Sequence, residues 1–296
     1  MLLRLALGLA LGYVVLVLLG WWFQDRLAFP APRGDVPDPR RVGVANGERI
    51  ELTMKDGTRL VGWYLAPTAP DRPRPPLPAL LWFYGNGETI ASIWPVVREF
   101  QPAGAALLVV DYPGYGGSEG RATEQALYDA ADAAFAALAQ RPGVDPGRIY
   151  VYGRSLGSAV AVYTAAHHPA AGLILESPFT SGAEMARLHY PVFPRWLLHL
   201  RLDNVATMRQ VRCAVLIFHG TADRLVPLSM GRQVAAAAAG PVELVAIAGA
   251  GHNDTYDVGG QEYRNRLWEF VLATERGTGQ EGGGRTTRPP SPVPRP

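Results

Sequence analysis

Read by the spacing of its apolar positions, the chain opens on an unbroken apolar run and then settles into an alternation of short strands and helices. From Leu5 to Phe23 nineteen residues pass without a charge, and as a helix rising about 1.5 Å per residue they reach roughly 28 Å, close to the hydrocarbon thickness of a bilayer. Trp21 and Trp22, then Gln24, Asp25 and Arg26, close the run in the way interfacial rings and returning charge do. Residues 1–26 are therefore expected to form a single-pass N-terminal membrane anchor. A cleaved secretory signal competes, but its apolar region spans about 7–15 residues and ends in small ones, where this chain has Trp-Trp-Phe. Arg4 on one flank and Arg26, Arg33, Arg40 and Arg41 on the other leave the side of the membrane open.

Beyond the anchor, Ile50–Met54 and Thr58–Leu65 flank Asp56-Gly57, a two-residue hairpin signal, so the folded part is expected to begin with antiparallel strands. A proline-rich stretch, Pro70–Pro78, follows. Six short apolar runs of the kind that fill a buried parallel sheet come next: Ala79–Phe83, Ala105–Val110, Ile149–Tyr152, Gly172–Leu175, Ala214–Phe218 and Val242–Ile247. Helical patterns at Thr123–Gln140, Ser158–Ala166, Leu228–Ala239 and Gln261–Leu272 separate most of them. This alternation predicts an α/β domain over residues 45–274, its mostly parallel sheet covered on both faces. Residues 178–209 break the rhythm with a long insertion rich in Trp, Leu, His and Pro, a candidate lid. Residues 277–296 are Gly, Arg, Thr, Ser and Pro with almost no apolar content, and are expected to be a disordered tail.

Composition narrows the function classes. A chain that is 48% hydrophobic and 18% charged has ample material for a core. Its 28 basic and 26 acidic side chains are interspersed, so no basic tract presents itself to a nucleic acid. Cys213 is the sole cysteine, which excludes an internal disulfide and a thiolate cluster. Gly85-x-Gly87 and Gly114-x-Gly116 lack the third small residue of a dinucleotide loop, and neither a P-loop nor an HExxH pattern occurs, so no cofactor or metal is called for.

Gly-x-Ser-x-Gly occurs twice, and context separates the copies. Ser155, in Gly153-Arg154-Ser155-Leu156-Gly157, directly follows a β-branched and aromatic strand and opens a helix, the strand-turn-helix placement that lifts a hydroxyl above a sheet. Ser118 lies several residues past its strand, behind Pro113-Gly114-Tyr115-Gly116, and reads as a loop serine. A serine nucleophile needs a base, and the base needs an orienting acid. Of six histidines only His252 follows the last predicted strand, in Gly249-Ala250-Gly251-His252-Asn253-Asp254. Asp223 stands just past the preceding strand, giving the chain order Ser155, Asp223, His252; Asp254 and Asp257 are weaker rivals because they neighbour the base in sequence. Backbone N–H groups for an oxyanion are expected from Leu156, next to the nucleophile, and from Asn86 in the loop Tyr84-Gly85-Asn86-Gly87-Glu88.

Tyr84-Gly85-Asn86, Asp111-Tyr112-Pro113-Gly114-Tyr115-Gly116-x-Ser118, Gly153-Arg154-Ser155-Leu156-Gly157, Gly220-x-x-Asp223-x-x-Val226-Pro227 and Gly251-His252-Asn253 together resemble the motif series of the α/β-hydrolase superfamily, in particular its membrane-anchored branch with a Gly-Arg-Ser-Leu-Gly elbow. The resemblance runs from about Ile50 to Ala273. It implies a serine hydrolase of esters or thioesters, often lipid-like, and a structural role for the Asp111 loop. One departure stands out: the oxyanion loop in that family usually begins with His, and here it begins with Tyr84, which puts the packing of the loop in question. The expected function is thus a membrane-anchored esterase or thioesterase acting on a small acyl ester or lipid-like substrate. An exopeptidase of the same fold and a catalytically silent acyl-binding scaffold are the alternatives.

Overall fold

A computed structural model of the protein describes residues 1–68 and 75–272; the tail expected at 277–296 lies outside them. The first element is a 27-residue helix, α1 (Leu2–Ala28). Its most apolar stretch is 6% buried, which no core helix of a globular domain would show.

Among the described residues eight strands make one sheet. β1 (Gly47–Thr53) and β2 (Arg59–Leu65) form the expected antiparallel hairpin, in which Gly57 takes φ 89° and Asp56 accepts a hydrogen bond from the Thr58 N–H. β3 (Leu77–Phe83), β4 (Ala106–Val110), β5 (Val144–Arg154), β6 (Gly172–Glu176), β7 (Ala214–Gly220) and β8 (Val242–Ile247) are mutually parallel, and the order across the sheet is β1-β2-β4-β3-β5-β6-β7-β8. Because β3 lies between β4 and β5, with Leu81 facing both Leu108 and Val151, the chain reverses its winding direction at β3. The carboxyl ends of the strands flanking such a reversal are where α/β sheets leave a crevice for a ligand.

Helices α2 (Ile90–Phe100), α3 (Glu124–Ala139), α4 (Leu156–His167), α7 (Leu228–Ala236) and α8 (Thr255–Leu272, interrupted by a non-helical Gly260) cover the two faces. The central strands are buried on both sides, as the continuous apolar runs implied. α2 was not legible in the pattern. Pro95 sits at its centre and masks the period, yet Ile90, Ile93, Val97 and Phe100 all face the core, and Ser92 accepts from the Thr89 N–H to secure its first turn. The insertion between β6 and β7 holds two short helices, α5 (Gly182–His189) and α6 (Asn204–Met208). Leu200, Leu202 and Met208 anchor its second half in the core, and the buried Asn204 amide donates to Ser158 of α4 and to the Phe179 carbonyl.

Candidate active site

The sharp turn from β5 into α4 puts Ser155 at φ 51° and ψ −116°, a conformation that side-chain-bearing residues rarely adopt and that persists only where the surroundings enforce it. The two elbow glycines permit that turn. A Cβ on Gly153 would overlap the Gly157 carbonyl, and one on Gly157 would overlap the Phe83 carbonyl of β3, so the strand and helix can approach this closely only without them. The strained serine is held by its own N–H, which donates to the Glu176 carbonyl of β6 at 2.9 Å.

His252 comes to Ser155 from the loop after β8. Its Nε2 lies 3.0 Å from Ser155 Oγ and its Nδ1 lies 2.8 Å from Asp223 Oδ2. With Nδ1–H donating to the carboxylate, Nε2 is left as an acceptor aimed at the serine hydroxyl. The other oxygen of Asp223 accepts from the N–H groups of Leu225 and Val226 at 2.9 and 2.8 Å. Burial pushes the Asp223 carboxyl up, but these hydrogen bonds and the His252 imidazole outweigh it and hold the group below its ordinary value, as an anion. Asp254, the rival acid, instead accepts from the Gly251 N–H at 2.6 Å and so braces the loop that carries the base. His167, His168, His189 and His199 bond elsewhere.

The residues expected to hold an oxyanion lie on two different elements. Leu156 is the first residue of α4, where a helix leaves its N–H groups without intrahelical partners. Asn86 lines the same cavity of about 360 Å³ as Ser155 and His252. Its side chain is engaged away from the reaction, donating to the Ala28 carbonyl at 2.7 Å and accepting from the Tyr115 hydroxyl at 2.8 Å.

Tyr84 is built into this loop. Its buried phenol donates to Asp111 Oδ1 at 2.9 Å and accepts from the Tyr112 N–H at 3.1 Å, while the Tyr112 hydroxyl donates to the Tyr84 carbonyl at 2.8 Å. The same Asp111 oxygen takes the Ile90 N–H at 2.8 Å, tying the start of α2 to the loop. Burial raises the Asp111 carboxyl above its ordinary value despite these donors. Gly116, at φ 48°, leaves the room that the Asp111 carboxylate fills. Ser118 is buried with both capacities spent, donating to the Asp111 carbonyl at 2.7 Å and accepting from the Val61 N–H at 2.9 Å.

Sequence reasoning missed a second layer centred on Arg154. Its guanidinium reaches Glu88 Oε1 at 2.6 Å, Glu176 Oε1 at 3.3 Å, the His252 carbonyl at 3.3 Å and Asn253 Oδ1 at 2.7 Å. Glu88 in turn accepts from the Gly85 N–H at 2.6 Å. One side chain thus joins the Asn86 loop, the end of β6 and the His252 loop. Glu176, 1% exposed, also accepts from the hydroxyls of Tyr152, Tyr263 and Thr255. Burial opposes charge on Arg154, and the two glutamates override it, so its pKa rises above the ordinary arginine value. The one sequence signal was an acid closing an otherwise apolar strand.

Fold and elbow define the class: an α/β-hydrolase of the serine-hydrolase type. A family model described as "Serine aminopeptidase, S33" matches residues 74–209. Uncharacterized protein Rv2307c of Mycobacterium tuberculosis is 36% identical over 255 residues, 86% of this chain and 89% of that one. Alpha/beta hydrolase domain-containing protein 17B of Homo sapiens is 37% identical over 161 residues, 54% of each chain. Among solved structures, the Pyrococcus furiosus esterase Pf2001 superposes with a TM-score of 0.66 over 82% of this chain and 98% of that one, at 18% identity, a likeness of fold. The chain belongs to the same family as the mycobacterial protein, and it is a serine hydrolase of the α/β-hydrolase fold.

Proposed function

We propose that the protein is a membrane-anchored esterase or thioesterase working through an acyl-enzyme on Ser155. As His252 Nε2 takes the hydroxyl proton, Ser155 Oγ bonds to the acyl carbon, and the backbone N–H groups of Leu156 and Asn86 hold the resulting oxyanion. Collapse of the intermediate breaks the ester bond, and the departing alcohol or thiol leaves with the proton from His252. Water then attacks the acyl-serine under the same base and releases the acid. Asp223 keeps His252 in the required tautomer and stabilises the imidazolium. The observation that carries this reading is the unbroken chain of hydrogen bonds from Ser155 Oγ through His252 to Asp223. A fluorophosphonate probe should label the wild-type protein and leave Ser155→Ala unlabelled; labelling that survives the substitution overturns the assignment.

The anchor rests on α1, whose length suits a bilayer and whose most apolar stretch is only 6% buried. The insertion at 178–209 is assigned as a lid over the site. A second reading, cleavage of a terminal aminoacyl bond, is favoured by the name of the matched family model. Rates on p-nitrophenyl esters and aminoacyl anilides separate the two, and faster anilide cleavage would replace the esterase reading.

A further inference from the structure

The middle of the insertion lies along α1. The Tyr13 hydroxyl donates to the Val192 carbonyl at 3.0 Å, and Gly20 lies against the Phe193 ring, so close that a Cβ there would meet it at 2.5 Å. Gln24 accepts from the His199 N–H at 2.9 Å and donates to the Leu197 carbonyl at 3.4 Å, and His199 pairs with Asp25 at 3.0 Å. From Tyr13 to Asp25 is about 18 Å of helix. Three polar contacts gather at the charged end of α1, and toward its middle come the Gly20–Phe193 packing and then the single Tyr13 hydrogen bond. Arg195, the one charged residue of 190–197, falls between the Phe193 and Leu197 contacts, toward the charged end.

Along this stretch Tyr190, Val192 and Trp196 are 66%, 68% and 82% exposed. Part of the backbone is also suited to an apolar medium, where an unpaired polar group is costly. Pro191 and Pro194 have no N–H to satisfy, the Tyr190, Phe193 and Leu197 N–H groups bond within the segment or to α5, and the Val192 carbonyl has Tyr13. Two contacts lead from here toward the cavity: His189 of α5 bonds to the carbonyl of Leu225, a residue that lines it, and the amide of Asn86, another lining residue, bonds to the last residue of α1.

We infer that residues 190–197 enter the bilayer leaflet that surrounds the Tyr13–Gln24 half of α1, with Tyr190, Val192 and Trp196 among the acyl chains, so that the site draws acyl substrates from the membrane rather than from water. The inference rests on the membrane-anchor reading. If α1 crosses a bilayer with Leu5–Phe23 in the hydrocarbon, Val192 is level with its midpoint and has lipid as its only neighbour medium.

The test uses the full chain reconstituted in phosphatidylcholine vesicles. In a Cys213→Ala background, a nitrobenzoxadiazole label on Val192→Cys should emit blue-shifted and be quenched by lipids carrying a nitroxide on the acyl chain. The same label on Lys55→Cys, at the hairpin turn, should respond only to a water-soluble quencher. A label at 192 that behaves like the one at 55 overturns the inference. The double variant Val192→Asp, Trp196→Ser should lose about tenfold or more in turnover of a long-chain ester dissolved in the vesicles, while hydrolysis of soluble p-nitrophenyl acetate stays within about twofold. Equal loss on both esters, or no loss on either, also overturns it. Alkaline carbonate extraction separates the two ideas: release of the wild-type chain refutes the anchor itself, whereas a retained chain with a water-exposed position 192 refutes only the insertion of the lid.

Discussion

Replacing Arg154 by Met removes the one cation that the site's inner network contains while nearly preserving side-chain volume. Arg154 is 11% exposed, and of its two acidic partners Glu88 is 27% exposed and Glu176 1%. Water can take over the solvation of Glu88, so the cost concentrates on Glu176. Stripping one partner from a buried ion pair costs about 3–5 kcal/mol, and the three hydroxyls that remain on Glu176 place the loss near the lower end. For a domain of this size about 3 kcal/mol lowers Tm by roughly 6–12 °C. The catalytic consequence is separate. Without Arg154, the Gly85–Glu88 turn and the His252 loop each lose a tether to the elbow, and a displacement of about 1 Å in reacting groups costs on the order of 100-fold. Expected, then, is a fall of about 10- to 100-fold in kcat with KM nearly unchanged, measured below the lowered Tm on a soluble ester, with Arg154→Lys in between. A Met variant whose melting and kcat match the wild type would refute the network's role, and a change confined to KM would make Arg154 a substrate contact instead.

Three further outcomes follow from the same geometry. Asp223→Asn should keep the fold yet lose about 10³–10⁴ in kcat, because the amide favours the wrong tautomer of His252; burst kinetics with p-nitrophenyl acetate would read it, and a loss below tenfold would point to another acid. Tyr84→Phe should cost about 1–3 kcal/mol in urea unfolding, since Asp111 loses a donor and the Tyr112 N–H its acceptor inside the core; an unchanged midpoint would show that water replaces the phenol. His219 is fully buried against Gly231 with Nε2 bonded to the Val226 carbonyl at 2.8 Å, and burial lowers its pKa from 6.5. Folded His219 thus binds fewer protons than unfolded His219, so its contribution to stability is complete above pH 6.5 and shrinks as pH falls from there toward the folded value. His219→Gln should flatten the decline of Tm between about pH 6.5 and 5 relative to the wild type, and an identical slope in both proteins would exclude His219 as the titrating group.

The sequence by itself determined the strands, most of the helices and the order of the chemistry, because these are local. Asp56-Gly57 between alternating runs is a hairpin wherever it occurs, and continuous β-branched runs between helical stretches make a buried parallel sheet. Ser155 was legible because a strand ends and a helix begins within the span of its two glycines, and His252 because it alone follows the last strand. Tertiary structure decided what the sheet order brings together. Nothing local places β3 between β4 and β5, and that placement sets the Phe83 carbonyl against Gly157. Glu176 meets Arg154, Thr255 and Tyr263 across 22, 79 and 87 residues of chain. Such contacts depend on strand register, and no short window of sequence encodes it. Tyr84 read as a departure from a motif until its phenol was seen to satisfy both Asp111 and Tyr112. The apolar insertion, uniform in sequence, divides in the structure: Leu200 and Leu202 go inward, and Trp196 remains exposed beside α1, because burial is set by what the fold places against each residue.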